Sequence, residues 1–214
     1  MKILLADDHK MMRDGLRALL EKEQGLEIVG EAATGYEATA AALRDCPDIV
    51  IMDISMPDLN GIDATRRIIA ERPDTKVIAL SMHSDRRYVN AMFAVGAVGY
   101  LLKNSASGEL VQAVRAVARD QKYVSPAIAA TVIEHYVDRA RPRQPAAEHG
   151  LSAREREVLQ LLAEGKSSKE IATRLGIAVA TIDTHRRQIM DKVNLRTVAE
   201  LTKYAIRMGL TSLD

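Results

Sequence analysis

Tryptophan is absent from this 214-residue chain, phenylalanine occurs once, and Cys46 is the lone cysteine. So few large aromatic rings leave any core to be built from aliphatic side chains. One cysteine rules out an internal disulfide and suits a reducing compartment. No apolar run reaches the roughly 20 residues that a membrane-crossing helix requires. The opening Met1-Lys2-Ile3-Leu4-Leu5-Ala6-Asp7-Asp8 turns acidic too soon for a secretory signal. A cytoplasmic protein without a membrane partner is expected. Internal repeats and low-complexity tracts are missing as well.

What is present is an ordinary globular composition, 47% hydrophobic and 28% charged, in a length that suits one large domain or two small ones. The net charge of +1 hides an asymmetry. Residues 1–137 hold 16 Lys and Arg against 19 Asp and Glu, a net of −3, whereas residues 138–214 hold 14 against 10, a net of +4. The basic C-terminal part points to nucleic acid as its partner, although so modest an excess also fits random scatter.

Five short apolar runs, at residues 3–6, 26–30, 49–52, 77–80 and 98–102, have the length of strands. Stretches with helical spacing lie between and after them. Met12, Leu16, Leu19 and Leu20 share a face, as do Ala38, Ala41 and Ala42, Ile62 with Ile68 and Ile69, and Leu110, Val111, Val114 with Val117. Such alternation predicts an α/β doubly wound five-stranded parallel sheet. The unbroken aliphatic character of the strands fits a sheet covered on both faces. A further helix is expected over 126–137, with Ser125 as N-cap and Pro126 in its first turn. Residues 138–150, with two prolines, several charges and no apolar period, read as an exposed linker. Beyond Leu151 the pattern is helical throughout. Ser152 and Glu155 have capping-box spacing, and Gly165 and Gly176 stop successive helices. Ser167 or Ser168 can cap the second of these. Helices over about 179–193 and 197–208 then complete a small all-α domain of four helices.

In open parallel sheets, ligands bind beyond the carboxyl ends of the strands. Strand one ends at Asp7-Asp8, strand three at Asp53, strand four at Ser81 and strand five at Lys103. Clustered carboxylates repel one another, so their joint ionisation calls for a cation, and an all-oxygen donor set favours Mg²⁺. With a metal in place, one carboxylate can attack phosphorus and form an aspartyl phosphate. Lys103 would neutralise the phosphoryl oxygens as a point charge, and Ser81 would donate a hydrogen bond to one of them. Each residue alone also has an ordinary role, Asp7-Asp8 as caps of the first helix, Ser81 and Lys103 as loop residues. Their occurrence together at successive strand ends carries the reading.

A helix-turn-helix needs a short turn and an exposed second helix that can enter the major groove. Gly176 ends one helix, and residues 177–180 lead into the next. There Ile182, Ile189 and Val193 point inward, while Thr181, Thr184, Arg187, Gln188 and Asp191 point outward. Polar groups of this kind suit base edges, whereas Arg186, Lys192 and Arg196 suit phosphate. An amphipathic helix with a merely solvated face fits the spacing equally well.

Leu4-Leu5-Ala6-Asp7-Asp8-His9, Asp53-Ile54-Ser55-Met56-Pro57-Asp58-Leu59-Asn60-Gly61 and Gly99-Tyr100-Leu101-Leu102-Lys103 resemble the signature segments of response-regulator receiver domains, over about residues 2–120. Leu151-Ser152-Ala153-Arg154-Glu155-Arg156-Glu157-Val158-Leu159, Gly165-Lys166-Ser167-Ser168-Lys169-Glu170-Ile171-Ala172 and Thr181-Ile182-Asp183-Thr184-His185-Arg186-Arg187-Gln188-Ile189-Met190-Asp191-Lys192 resemble the LuxR-type helix-turn-helix, over about residues 148–212. Residues 121–150 are left as helix and linker. The whole is similar to two-component response regulators of the NarL/FixJ subfamily.

The resemblance implies a flavodoxin-like receiver in which Asp53 accepts phosphate from a cognate sensor histidine kinase. It implies Mg²⁺ bound directly by Asp8, Asp53 and the Ser55 carbonyl, and by Asp7 through water. It makes Ser81 and Tyr100 a switch pair, the hydroxyl moving toward the phosphoryl group and the ring rotating inward behind it. On the DNA side it implies base-edge contacts from Asp183, Thr184 and Arg187, and backbone contacts from Lys169, Thr181 and Lys192. The last helix resembles the family's dimer contact through Val198, Leu201 and Ala205, which also suit closure of the domain core. The sequence departs from the pattern at Asn104, where many receivers have proline, and at Ala178, where serine usually opens the recognition helix. The second departure removes a cap worth about 1 kcal/mol.

The expectation is a phosphorylation-controlled transcription factor rather than an enzyme, homodimeric when phosphorylated and bound to double-stranded DNA. One alternative is a LuxR-type regulator whose input is a ligand or is independent of phosphorylation, which gives no reason for Asp7, Asp8, Asp53 and Lys103 at strand ends. Another is a helical domain that docks a protein instead of DNA.

Overall fold

The computed structural model describes residues 1–129 and 150–211. Of the expected helix over 126–137, residues 126–129 are described and helical; its remainder and the expected linker over 138–150, save Gly150, lie outside the described residues. The chain divides into two compact units, Met1–Pro142 and Arg143–Asp214. Among the described residues no helix is long and apolar enough to cross a membrane.

The first unit is built on parallel strands β1 (Lys2–Ala6), β2 (Glu27–Ala32), β3 (Ile49–Asp53), β4 (Lys76–Ser81), β5 (Gly99–Leu102) and β6 (Tyr123–Val124), in the order β2-β1-β3-β4-β5-β6. Side chains alternate across the pleat. Leu4, Val50, Met52, Val77, Ala79 and Tyr100 enter one core cluster, with residues of α2 (Gly35–Asp45), α3 (Gly61–Glu71) and α4 (Arg86–Ala94). Ile3, Leu5, Ile49, Ile51, Ile78, Leu80 and Leu101 enter the other, with residues of α1 (Lys10–Leu20) and α5 (Ala106–Ala118). Both faces are buried, as the aliphatic strands led one to expect.

The expected sheet of five strands is one strand short. After α5 the chain returns along the outer edge of β5, where Tyr123 N–H donates to the Val98 carbonyl and Ser125 N–H to the Tyr100 carbonyl. Two residues of ladder are too few to show as an apolar run. The same pairing corrects the expected role of Ser125 as a side-chain N-cap. Its hydroxyl is buried without a hydrogen-bond partner, because the residue is held against β5 rather than turned toward the amides that follow.

The strand order sets β1 beside β3, so their carboxyl ends adjoin. One close approach then fixes Asp53, the last residue of β3. A Cβ at Gly61 would lie 1.9 Å from the Asp53 carbonyl oxygen, so the first turn of α3 rests directly on the backbone that presents the carboxylate. Asn60 caps that turn by accepting from Asp63 N–H at 2.9 Å.

The second unit is all-helical: α6 (Ala153–Ala163), α7 (Ser168–Leu175), α8 (Val179–Val193) and α9 (Val198–Arg207). Ser152 with Glu155, Ser167 with Glu170 and Thr197 with Glu200 form reciprocal capping boxes on α6, α7 and α9. Val158, Leu159, Leu162, Ile171, Ile182, Ile189, Leu201 and Ala205 make the core.

The fit at Gly61 gives a test. Gly61→Ala is expected to cost more than about 2 kcal/mol and to lower Tm by about 8 °C or more. A thermal scan with an unchanged midpoint would mean that α3 can retreat from β3.

Candidate metal centre and nucleic-acid interface

At the carboxyl ends of the strands, the ammonium of Lys103 lies 2.7 Å from Asp53 Oδ2 and 2.7 Å from Asp7 Oδ2. All three side chains are almost fully buried, at 6%, 2% and 1% exposure. Lys103 opens a short 3₁₀ turn after β5, and its stem reaches back to β3 past β4. Asp53 Oδ1 accepts from Ser55 N–H at 3.2 Å, and Asp7 Oδ1 from His9 N–H at 2.8 Å. Asp8 is partly exposed, with His9 Nδ1 2.8 Å from its Oδ1. The N-cap of α1 is His9, and no side chain bonds the first turn of that helix. Asp7 and Asp8 are therefore directed to the pocket instead of capping α1.

The electrostatics follow from this packing. Burial pushes the Asp53 carboxyl up to about 6, against the pull of Lys103 and with a further push from Asp7. Burial works against the Lys103 ammonium, but the Asp53 and Asp7 carboxylates outweigh it and hold the group above its ordinary range. Three carboxylates around one ammonium leave a negative pocket. One ligand atom each from Asp7, Asp8, His9 and Asp53 fall within 4.8 Å of one another. A mainly carboxylate donor set with surplus negative charge fits a hard divalent cation such as Mg²⁺.

Ser81, the last residue of β4, accepts from His83 N–H at 3.0 Å. Tyr100 is wholly buried on β5 and donates its hydroxyl to the His83 carbonyl at 2.8 Å. Burial pushes the phenol far up, with the nearby Ser81 hydroxyl pulling the other way. The ring thus stands inward in this structure. His83 escaped the reading of the sequence. Its ring stacks on Tyr88, with centroids 4.3 Å apart, and its Nε2 is 3.4 Å from Ser55 Oγ. Arg13 escaped it too, although its guanidinium donates to the Asp7 carbonyl and to Glu31. No periodic pattern marks either residue; the loop after β4 brings His83 to the pocket, and the first turn of α1 brings Arg13 there.

In the second unit, α7 and α8 are joined at Gly176, which is left-handed at φ 65°. Helix α8 buries Ile182, Ile189 and Val193. Lys169, Thr181, Asp183, Thr184, Arg187 and Lys192 are all exposed. Arg187 makes no hydrogen bond or ion pair among the described residues. The others are partly engaged: Asp183 Oδ1 accepts from Ser168 Oγ at 3.0 Å, and Thr184 Oγ1 donates to the Ala180 carbonyl at 2.9 Å. Lys192 Nζ pairs with Glu155 Oε2 at 2.7 Å, which ties the end of α8 to the capping box of α6. Ala178 gives α8 no side-chain cap, as the sequence led one to expect.

Comparison with known proteins meets this geometry at both ends of the chain. The family "Response regulator receiver domain" matches residues 3–115, and "Bacterial regulatory proteins, luxR family" matches residues 149–205. The chain is a two-component response regulator of the LuxR type. It is 37% identical to the oxygen regulatory protein NreC of Staphylococcus carnosus, over 98% of this chain and 99% of that one. It is 34% identical to the response regulator UvrY of Escherichia coli K12, over 99% of this chain and 96% of that one. Among solved structures, RcsB of Salmonella enterica serovar Typhimurium, bound to promoter P1flhDC with the phosphomimetic BeF₃⁻, matches at 25% identity, with a TM-score of 0.62 and 99% of each chain covered. Proteins of this type are phosphorylation-responsive, DNA-binding regulators of transcription rather than enzymes.

The regulator's acidic pocket has a measurable consequence for stability. Because Asp53 titrates higher in the fold than in the unfolded chain, the fold loses stability as pH rises from the ordinary carboxylate range through about 6. In chelator at about pH 7.5, Asp53→Asn is expected to raise Tm by about 4 °C, a gain that fades below about pH 4. A fall in Tm at neutral pH would show that the ion pair with Lys103 outweighs the burial of charge.

Proposed function

We propose that a cognate sensor histidine kinase phosphorylates this regulator on Asp53, and that the modified chain binds promoter DNA as a homodimer. The convergence of Asp7, Asp8, Asp53 and Lys103 in one buried pocket carries the reading. The receiver would span 2–120, a helix and linker 121–150, and the helix-turn-helix domain 148–212.

The chemistry follows from the positions. A carboxylate oxygen of Asp53 attacks the phosphorus of the kinase's phosphohistidine. The P–N bond breaks, the imidazole nitrogen leaves with the electron pair and takes up a proton, and Asp53 is left as an acyl phosphate. Asp8, Asp53 and the Ser55 carbonyl, with Asp7 through water, would hold Mg²⁺, which would supply neutralisation of charge on the reacting oxygens. Lys103, already beside Asp53, faces the phosphoryl oxygens as a fixed ammonium. The Ser81 hydroxyl turns toward the same oxygens, and Tyr100 packs behind it.

On α8, Arg187 is an exposed guanidinium with no partner among the described residues and the leading candidate for a base edge. Thr184 retains lone pairs that can accept from a base, and Asp183 can accept from cytosine once released from Ser168. Lys169 and Thr181 lie exposed for phosphate contact. Lys192 has to leave Glu155 to do the same. The RcsB complex with promoter DNA and a phosphomimetic supports this coupling of pocket to DNA.

Two measurements test the reading. Asp53→Asn is expected to abolish incorporation of phosphate from acetyl phosphate in the presence of Mg²⁺; retained incorporation would place the acceptor elsewhere. Arg187→Ala is expected to weaken binding to a selected duplex by about tenfold or more, while Lys169→Ala weakens binding to all duplexes alike and reduces the salt slope by about 1. If Arg187→Ala spares DNA and abolishes capture of a protein, the helical domain is a protein-docking module instead.

A further inference from the structure

Neither the pocket nor the DNA face explains β6 and the residues that follow it. There the chain runs along the open edge of β5, pairing Val124 with Tyr100. Tyr123 N–H donates to the Val98 carbonyl at 3.1 Å, and Ser125 N–H to the Tyr100 carbonyl at 2.9 Å. Ile128 then inserts, fully buried, into the core cluster that holds Tyr100, Tyr88, Met92 and Leu102. Tyr100 is thereby gripped from two directions. Its phenol is bonded to the loop after Ser81, while its main chain carries residues 123–128, which lead out of the receiver.

This seat is weakly built. The β5–β6 ladder spans two residues, and short edge pairing opens more readily than central strands. The Ser125 hydroxyl is buried with no partner, an unmet group that regains hydrogen bonds when the segment leaves. Close-packed cores change between discrete arrangements. Ile128 and Tyr100 belong to one such cluster, so a Tyr100 ring that swings out of its place changes the packing that seats Ile128.

We propose that residues 123–128 form a strap through which the state of Tyr100 reaches the DNA-binding unit, with Ser125 and Ile128 as positioning residues. An inward phenol seats the strap; a phosphoryl group at Asp53 keeps the phenol inward; its loss lets the strap go. The proposal rests on phosphorylation at Asp53.

The test uses the full-length chain and a duplex selected from a random-sequence pool on the phosphorylated protein, with affinity measured before and after acetyl phosphate and Mg²⁺. Ile128→Ala is expected to take up phosphoryl groups normally but to lose at least about threefold of the affinity gain that phosphorylation brings. Ser125→Ala, which removes the unmet hydroxyl from the seated state alone, is expected to raise the affinity of the unphosphorylated chain by about threefold. A purely structural role would move the two variants in the same direction. An unaltered gain in a phosphorylated Ile128→Ala protein, or no rise in Ser125→Ala, overturns the proposal. Should Ile128→Ala lose phosphoryl uptake through misfolding, Ser125→Ala decides alone. Failure of the unsubstituted chain to be modified at Asp53 overturns the phosphorylation reading instead.

Discussion

The structure depends on keeping several like charges together where they repel. Asp7, Asp8 and Asp53 share a pocket with one ammonium, and the two most buried of them are held to that ammonium at 2.7 Å each. Desolvation of a carboxylate is expensive, and attraction to a single cation offsets it only in part. The fold meets the constraint by topology. Adjacent β1 and β3 bring the acids to one crevice, and β5 lies far enough away that only a long side chain can reach back. Lysine provides that length, and its stem stays buried on the way. The absence of any side chain at Gly61 lets the first turn of α3 press on the main chain of Asp53 and so fixes the carboxylate from behind.

The helical unit handles an opposite problem, a surface of cations on a helix with a weak start. Three of its four helices have reciprocal capping boxes, and the recognition helix has none. Its N-terminal half is tied instead by the bond from Ser168 to Asp183, and its C-terminal end by Lys192 on Glu155. Burial of Ile182, Ile189 and Val193 does the rest. Several side chains that suit DNA thus also support the helix that carries them, whereas Arg187 does not.

The strands and the pocket were legible in the sequence because each depends on local patterning plus a general rule. Aliphatic runs mark strands that are buried twice, and ligand residues collect at their carboxyl ends. What stayed hidden depends on partners distant in the chain. β6 is two residues long and has meaning only beside Gly99 and Tyr100. Ser125 has the sequence context of a helix cap, yet its pairing with β5 withholds the hydroxyl from that use. Lys192 looks like one more cation on the DNA face until α6 places Glu155 beside it. His83 follows Ser81 by two residues with no periodic signal, and its stack with Tyr88 exists only because α4 folds back over the loop.

The pocket also indicates where the energy of switching resides. A ligand biases two conformations only through interactions that differ between them. Lys103 is already paired with Asp53 and Asp7, so a contact with a phosphoryl group would replace one charged partnership by another and add little. Ser81 is different. Its present bond, from the His83 amide, involves a neutral group. A bond from the same hydroxyl to a phosphoryl oxygen is charge-assisted and about twice as strong, a difference on the order of 1 kcal/mol, or several-fold in a conformational equilibrium. On the proposed reading, the lysine would make the site tolerable for a phosphoryl group, while the serine, through Tyr100, would supply the preference that the rest of the molecule senses.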